Sequence, residues 1–139
     1  MKTALDIIQD LRKLLLPIEP QLSGGKIRQY YRVLNSKAND VVINVQGADD
    51  EPMQFAIVNI NIHTANLSLP ITGGTDNTNP NLAVFNTLVL LIMPLVKLHV
   101  ASDFKIRMRK DNGLIRDNDG SWYYNIQLNY YSMQEASVA

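Results

Sequence analysis

A chain of 139 residues, 46% of them apolar, has material for one compact domain with a buried core and is too apolar to be disordered. Its 13 basic and 13 acidic residues cancel, so no net charge draws it toward nucleic acid or anionic lipid. Cysteine is absent, which excludes disulfides, thiol nucleophiles and cysteine-bound metal, and fits assembly inside a cell.

Thr3 to Leu16 reads as an amphipathic helix. Thr3 and Asp6 form a shortened capping-box pattern, and an acid in the first turn suits the helix dipole. An acid this early is also unlike a secretory signal. Ala4, Ile8, Leu11 and Leu15 share a face, flanked by Ile7 and Leu14, and Pro17 and Pro20 end the helix. Ser23-Gly24-Gly25-Lys26 is a turn. It is not a phosphate loop, because Ile27 follows the lysine and no earlier glycine stands at the required distance. Ile27 to Leu34 is expected as a strand with Tyr31 and Val33 facing in. Val41, Ile43 and Val45 alternate with Val42, Asn44 and Gln46 in a second strand. Asp49-Asp50-Glu51 is an acidic loop whose adjacent carboxylates lack the spacing of a hard-cation site.

Met53 to Thr64 is the clearest early strand. Ala56, Val58, Ile60 and Ile62 make one face; Ile57, Asn59, Asn61 and His63 make the other. Leu67 to Pro80, with Gly73 and Gly74, is long for a connection, as functional or disordered loops are. Asn81 to His99 reads as a buried helix broken or kinked at Pro94, with Leu82, Phe85, Val89, Ile92 and Val96 on one face. Its apolar run is too short to span a bilayer. Phe104, Ile106 and Met108 alternate with Lys105, Arg107 and Arg109. Asp111-Asn112-Gly113 is a hairpin turn signal, and Leu114 to Arg116 a brief return strand. After a second turn at Asp117 to Gly120, Trp122, Tyr124, Ile126, Leu128 and Tyr130 alternate with Tyr123, Asn125, Gln127 and Asn129. Residues 134–139 are expected to be a flexible tail. The order defines a single α+β domain over 1–139. It has a mainly antiparallel sheet of about five strands and two principal helices packed on one face.

No catalytic or cofactor constellation emerges. His63 and His99 have no second histidine or acid at ligand spacing, the Gly-x-Ser-x-Gly pattern is absent, and Asp117 and Asp119 are turn formers rather than half a calcium loop. No metal site, cofactor or catalytic residue is therefore assigned. An enzyme with a pocket near His63 is the weakest functional class. The stripe Lys105, Arg107, Arg109 and Lys110 is the main electrostatic feature. It supports a nucleic-acid-binding module as the alternative function, although it lacks interleaved aromatics. The second sheet face, with Asn44, Asn59, Asn61, Tyr123, Asn125 and Gln127, is rich in amides and nearly free of charge, which fits an oligomer or partner interface or else an uncharged wet surface.

The leading helix and glycine turn, Asp40 to Val45, Val58 to Ile62, the second helix and the closing Asp119-Gly120-Ser121-Trp122-Tyr123-Tyr124-Asn125-Ile126 together resemble the tail-terminator (tail-completion, minor tail) proteins of long-tailed phages and prophages. The resemblance implies a non-catalytic α+β subunit of a homo-oligomeric ring, typically a hexamer. Such a ring caps the tail tube and meets the head-tail connector, in the host cytoplasm during assembly and then in the virion tail. The short apolar run leaves no membrane partner expected, and nucleic acid is the less favoured partner. The resemblance implies no catalysis and no cofactor. It makes the amide face and the loop at Gly73-Gly74 the candidates for ring and tube contacts.

Overall fold

The computed structural model describes residues 1–134; the rest of the expected 134–139 tail lies outside the described residues. Helix α1 spans Ala4–Leu15 and a 3-10 helix spans Leu16–Leu22. Strands β1 (Ile27–Gln29), β2 (Asp40–Ala48) and β3 (Met53–Thr64) follow. A hairpin of β4 (Leu69–Ile71) and β5 (Gly74–Asp76) precedes helix α2 (Leu82–Val96). Strands β6 (Leu98–Val100), β7 (Lys105–Arg116) and β8 (Trp122–Met133) close the chain.

The fold is α+β, with two helices and a mixed six-stranded sheet in the order β1-β2-β3-β8-β7-β6. The pair β1–β2 is parallel and the other pairs are antiparallel. Strands β3 and β8 run in unbroken register, with Ile60 opposite Ile126 and Asn61 opposite Asn125. Period-two alternation therefore sends every second residue to the same side. Val41, Ile43, Val58, Ile60, Ile62, Ile126 and Leu128 are buried there against Ile7, Ile8, Leu11 and Leu15 of α1 and Phe85, Leu88, Ile92 and Val96 of α2. Both helices thus lie on one face, and among the described residues the other face carries none.

Local chemistry explains the helix ends. The Thr3 hydroxyl accepts from the Asp6 N–H at 3.1 Å and the Asp6 carboxylate accepts from the Thr3 N–H at 2.9 Å, a complete capping box. Lys2 then ties this end to the sheet, donating to Asp10 at 2.6 Å and Asp103 at 2.8 Å over the Phe104 ring. Burial disfavours its charge, but the two carboxylates outweigh burial and hold the Lys2 pKa up. The fully buried Tyr130 donates its hydroxyl to the same Asp10 carboxylate at 2.6 Å. At Gly25 any Cβ would meet the Asn39 carbonyl oxygen at 1.6 Å, so only glycine lets the two loops pass.

Several expectations are corrected. The strand expected over 27–34 stops at Gln29. Tyr30 takes φ of 63°, a left-handed conformation that costs a bulky residue about 1–3 kcal/mol, and the chain leaves the sheet. Tyr31 and Val33, expected to face in, are exposed. The Asp111-Asn112-Gly113 signal is no turn: β7 runs through it, with register irregularities at Met108/Lys110 and Asp111/Gly113, and Gly113 (φ 70°) supplies the bulge. Pro94 lies in the last turn of an unbroken α2, and His99 lies on β6 rather than at the helix end. The long 67–80 connection contains the β4–β5 hairpin.

Candidate functional site

The face opposite the helices is built from the alternate residues of four strands. Val42 and Asn44 come from β2, Asn59, Asn61 and His63 from β3, Tyr123, Asn125 and Gln127 from β8, and Lys105 and Arg107 from β7. Register brings the amides of this face within reach of one another. Asn59 donates to Asn44 at 3.0 Å, and Asn125 donates to Asn59 at 3.2 Å and to Asn61 at 2.7 Å. Asn112, carried in by the β7 bulge, donates to Asn125 at 2.6 Å. One hydrogen-bonded amide network thus crosses four strands. Asn59 is 5% exposed and Asn125 6%, although no helix covers them. Each amide offers two donors and two acceptor positions, so the outer members keep bonding capacity for a partner or for water.

One corner of this face is a cavity of about 410 Å³ with Val42, Asn61, His63 and Tyr123 among its lining residues, walled by the 30–36 loop and by Asp117 and Asp119. The loop is held by Asp40, a fully buried carboxylate. It accepts from Ser36 Oγ at 2.8 Å, the Lys26 N–H at 3.0 Å and Arg32 Nε at 3.2 Å; Arg28 forms an ion pair with it at 3.5 Å without a hydrogen bond. Burial opposes ionisation of Asp40, but these donors outweigh it and hold its carboxyl below the usual range. Arg32 also donates to the carbonyls of Ser36 and Ala38, which fixes the loop across the corner. His63, opposite Asp40 in the register, lies 5.5 Å from the Tyr123 ring. Burial first, and the Arg32 charge second, push its pKa down to about 4, so the imidazole is neutral near pH 7. Its buried Nδ1 has no hydrogen-bond partner among the described residues.

The opposite margin of the face is cationic. Lys105, Arg107, Arg109 and Lys110 are exposed on β7. Arg109 donates to Asn129 at 3.3 Å, and no ion pair among the described residues engages the stripe. Gly73 and Gly74 stand apart from the amide face. They form the tip of the β4–β5 hairpin, where Gly73 takes φ of 82° beside the exposed Ile71. The base of that hairpin is pinned to the sheet. The Trp122 indole N–H donates to the Thr78 carbonyl at 3.0 Å, and Asn66 bridges the carbonyls of Asn77 and Gly120.

Asn44, Asn59, Asn61, Asn125 and the basic strand therefore share one face, and the two glycines do not. Sequence reasoning missed Asp40, Arg32 and Asn112. An aspartate heading a valine-rich strand was a usable signal for Asp40, since a buried acid demands cationic or N–H partners. Among the described residues no group of three or more His, Asp or Glu residues is placed to hold a metal ion, and no helix is long and apolar enough to cross a membrane. A scan against protein-family models finds no match to the chain, and a search of curated proteins finds no match either.

Proposed function

We propose that this protein is a non-catalytic structural subunit that assembles with copies of itself. Its role on this reading is that of a tail-terminator-like ring subunit, closing the tail tube of a long-tailed phage or prophage and meeting the head-tail connector. It would assemble in the host cytoplasm and end in the virion tail. The observation that carries the reading is the uncharged amide network at the centre of a helix-free sheet face, whose cations are confined to the β7 margin. A solvated face would ordinarily carry more lysine and glutamate, whereas subunit interfaces deplete such charges and enrich tyrosine. The pinned β4–β5 hairpin adds an element with exposed apolar residues, suited to a tube contact. Light scattering behind a sizing column tests the reading: a discrete species of several subunits, formed alone or on purified tail tubes, is expected. A monomer at every concentration that also leaves tubes uncapped overturns it.

The exposed cations of β7 favour a second reading, a nucleic-acid-binding module. That reading expects binding that weakens steeply with salt and is lost in Arg107→Ala/Arg109→Ala. Absence of binding at low salt removes it.

A further inference from the structure

We propose that the cavity between the 30–36 loop and the Asp117–Asp119 turn is a socket for a guanidinium group, filled in the assembly by Arg107 or Arg109 of a second copy of this chain. The inference rests on the self-assembly reading but not on the phage tail.

The socket has acceptors to spare. Asp117 Oδ1 accepts the Asn118 N–H, and Asp119 Oδ1 accepts the Ser121 N–H and hydroxyl; the second oxygen of each has no partner among the described residues. His63, only 8% exposed, lines the same cavity, and its buried Nδ1 has no partner among the described residues. The one cation in the wall, Arg32, is held on buried Asp40, and two wall carboxylates, Asp117 and Asp119, stand against it. The remaining wall charge is therefore negative, beside the rings of Tyr30 and Tyr123. A guanidinium has five donors, no acceptor and a flat face that stacks on aromatics, so it matches this wall better than a lysine ammonium does.

The chain carries the complementary groups where it cannot use them itself. Asp117 lies eight residues beyond Arg109. At about 3.3 Å per strand residue, and with the β7 bulges shortening the run, that is still roughly 20 Å, far beyond a side chain's reach. The socket is floored by β2, β3 and β8, and the stripe lies on β7 toward the opposite sheet edge. Two different patches that fit each other make a head-to-tail contact, which closes into a ring when the rotation allows.

The test is a charge swap on the whole chain, followed by light scattering at low ionic strength, with circular dichroism to verify folding. Asp117→Lys/Asp119→Lys and Arg107→Glu/Arg109→Glu should each raise the protein concentration needed for assembly by about tenfold or more. An equimolar mixture of the two should return it near the wild-type value. Assembly of either variant at wild-type concentrations, a mixture that stays dissociated, or a wild-type protein that never associates overturns the socket. Because the chain has no cysteine, Asn118→Cys/Lys110→Cys gives an independent readout. A short bismaleimide should join two copies of the double variant, and absence of that product also overturns the proposal. A swap-rescued assembly that fails to cap tail tubes keeps the socket and defeats the tail reading.

Discussion

Replacing His63 by glutamine should flatten the dependence of stability on pH. The imidazole titrates at about 4 in the folded chain against 6.5 in an ordinary setting. Because the folded value is the lower one, the unfolded chain takes up the proton first as pH falls. Stability is thus lost from about pH 6.5 down to about pH 4 and is regained as pH rises. Between about pH 7.5 and pH 5, the His63 contribution to this loss is about 2 kcal/mol. The carboxylates of Asp40, Asp76, Asp103 and Asp119 are held below their usual range. Their stabilisation is present above the unfolded carboxylate value and is lost only as pH falls through the folded one, so it is common to both proteins. Urea unfolding followed by fluorescence of the single Trp122 gives the two free energies at each pH. Wild type should lose about 2 kcal/mol more than His63→Gln over that interval. Parallel pH profiles would refute the argument, because they would mean that His63 is solvated or has a partner for its ring nitrogen.

Asp40→Ala should destabilise by about 4 kcal/mol, since it leaves Arg28 and Arg32 against a buried site with no carboxylate. Thermal melting would show it, and a change below 1 kcal/mol would mean that the 30–36 loop is held by something else. Ile60→Asp places an unpaired charge in the core and should cost several kcal/mol. Asn61→Asp, on the other face, should leave the monomer folded and weaken assembly. Equal damage from both would contradict the separation of the two faces.

The strands whose alternation is uninterrupted were legible in the sequence, and so was the division of faces. Asn59, Asn61 and Asn125 could be assigned to one surface by parity alone. That they bond to each other could not, because it depends on β3 lying between β2 and β8 in matched register. Where the reading failed, backbone conformation overrode residue pattern. The Ile27–Leu34 stretch alternates acceptably, yet left-handed Tyr30 ends the strand after three residues. Asp111-Asn112-Gly113 has turn chemistry, but positive φ at glycine serves a bulge as well as a hairpin. Here the Asn112 bond to Asn125 accompanies the bulge. The Asp40 cluster was invisible for another reason: its partners at Lys26, Arg32 and Ser36 lie in loop that carries no periodicity.

His63 is the residue least explained by folding alone. A valine or threonine on that strand would suit a half-covered sheet and would leave no orphaned ring nitrogen. An unmet buried polar group costs about 1–3 kcal/mol, and the depressed pKa adds an acid sensitivity that the monomer does not need. The neighbouring Tyr30 adds backbone strain, and the loop it begins exposes Tyr31 and Leu34 at 74% and 87%. Unfavourable terms of several kinds converge on one corner of an otherwise consistent fold. Such local departures mark the places where a sequence serves something besides its own folding. The surplus acceptors of Asp117 and Asp119 share that corner, so whatever the protein binds there is expected to arrive as a donor.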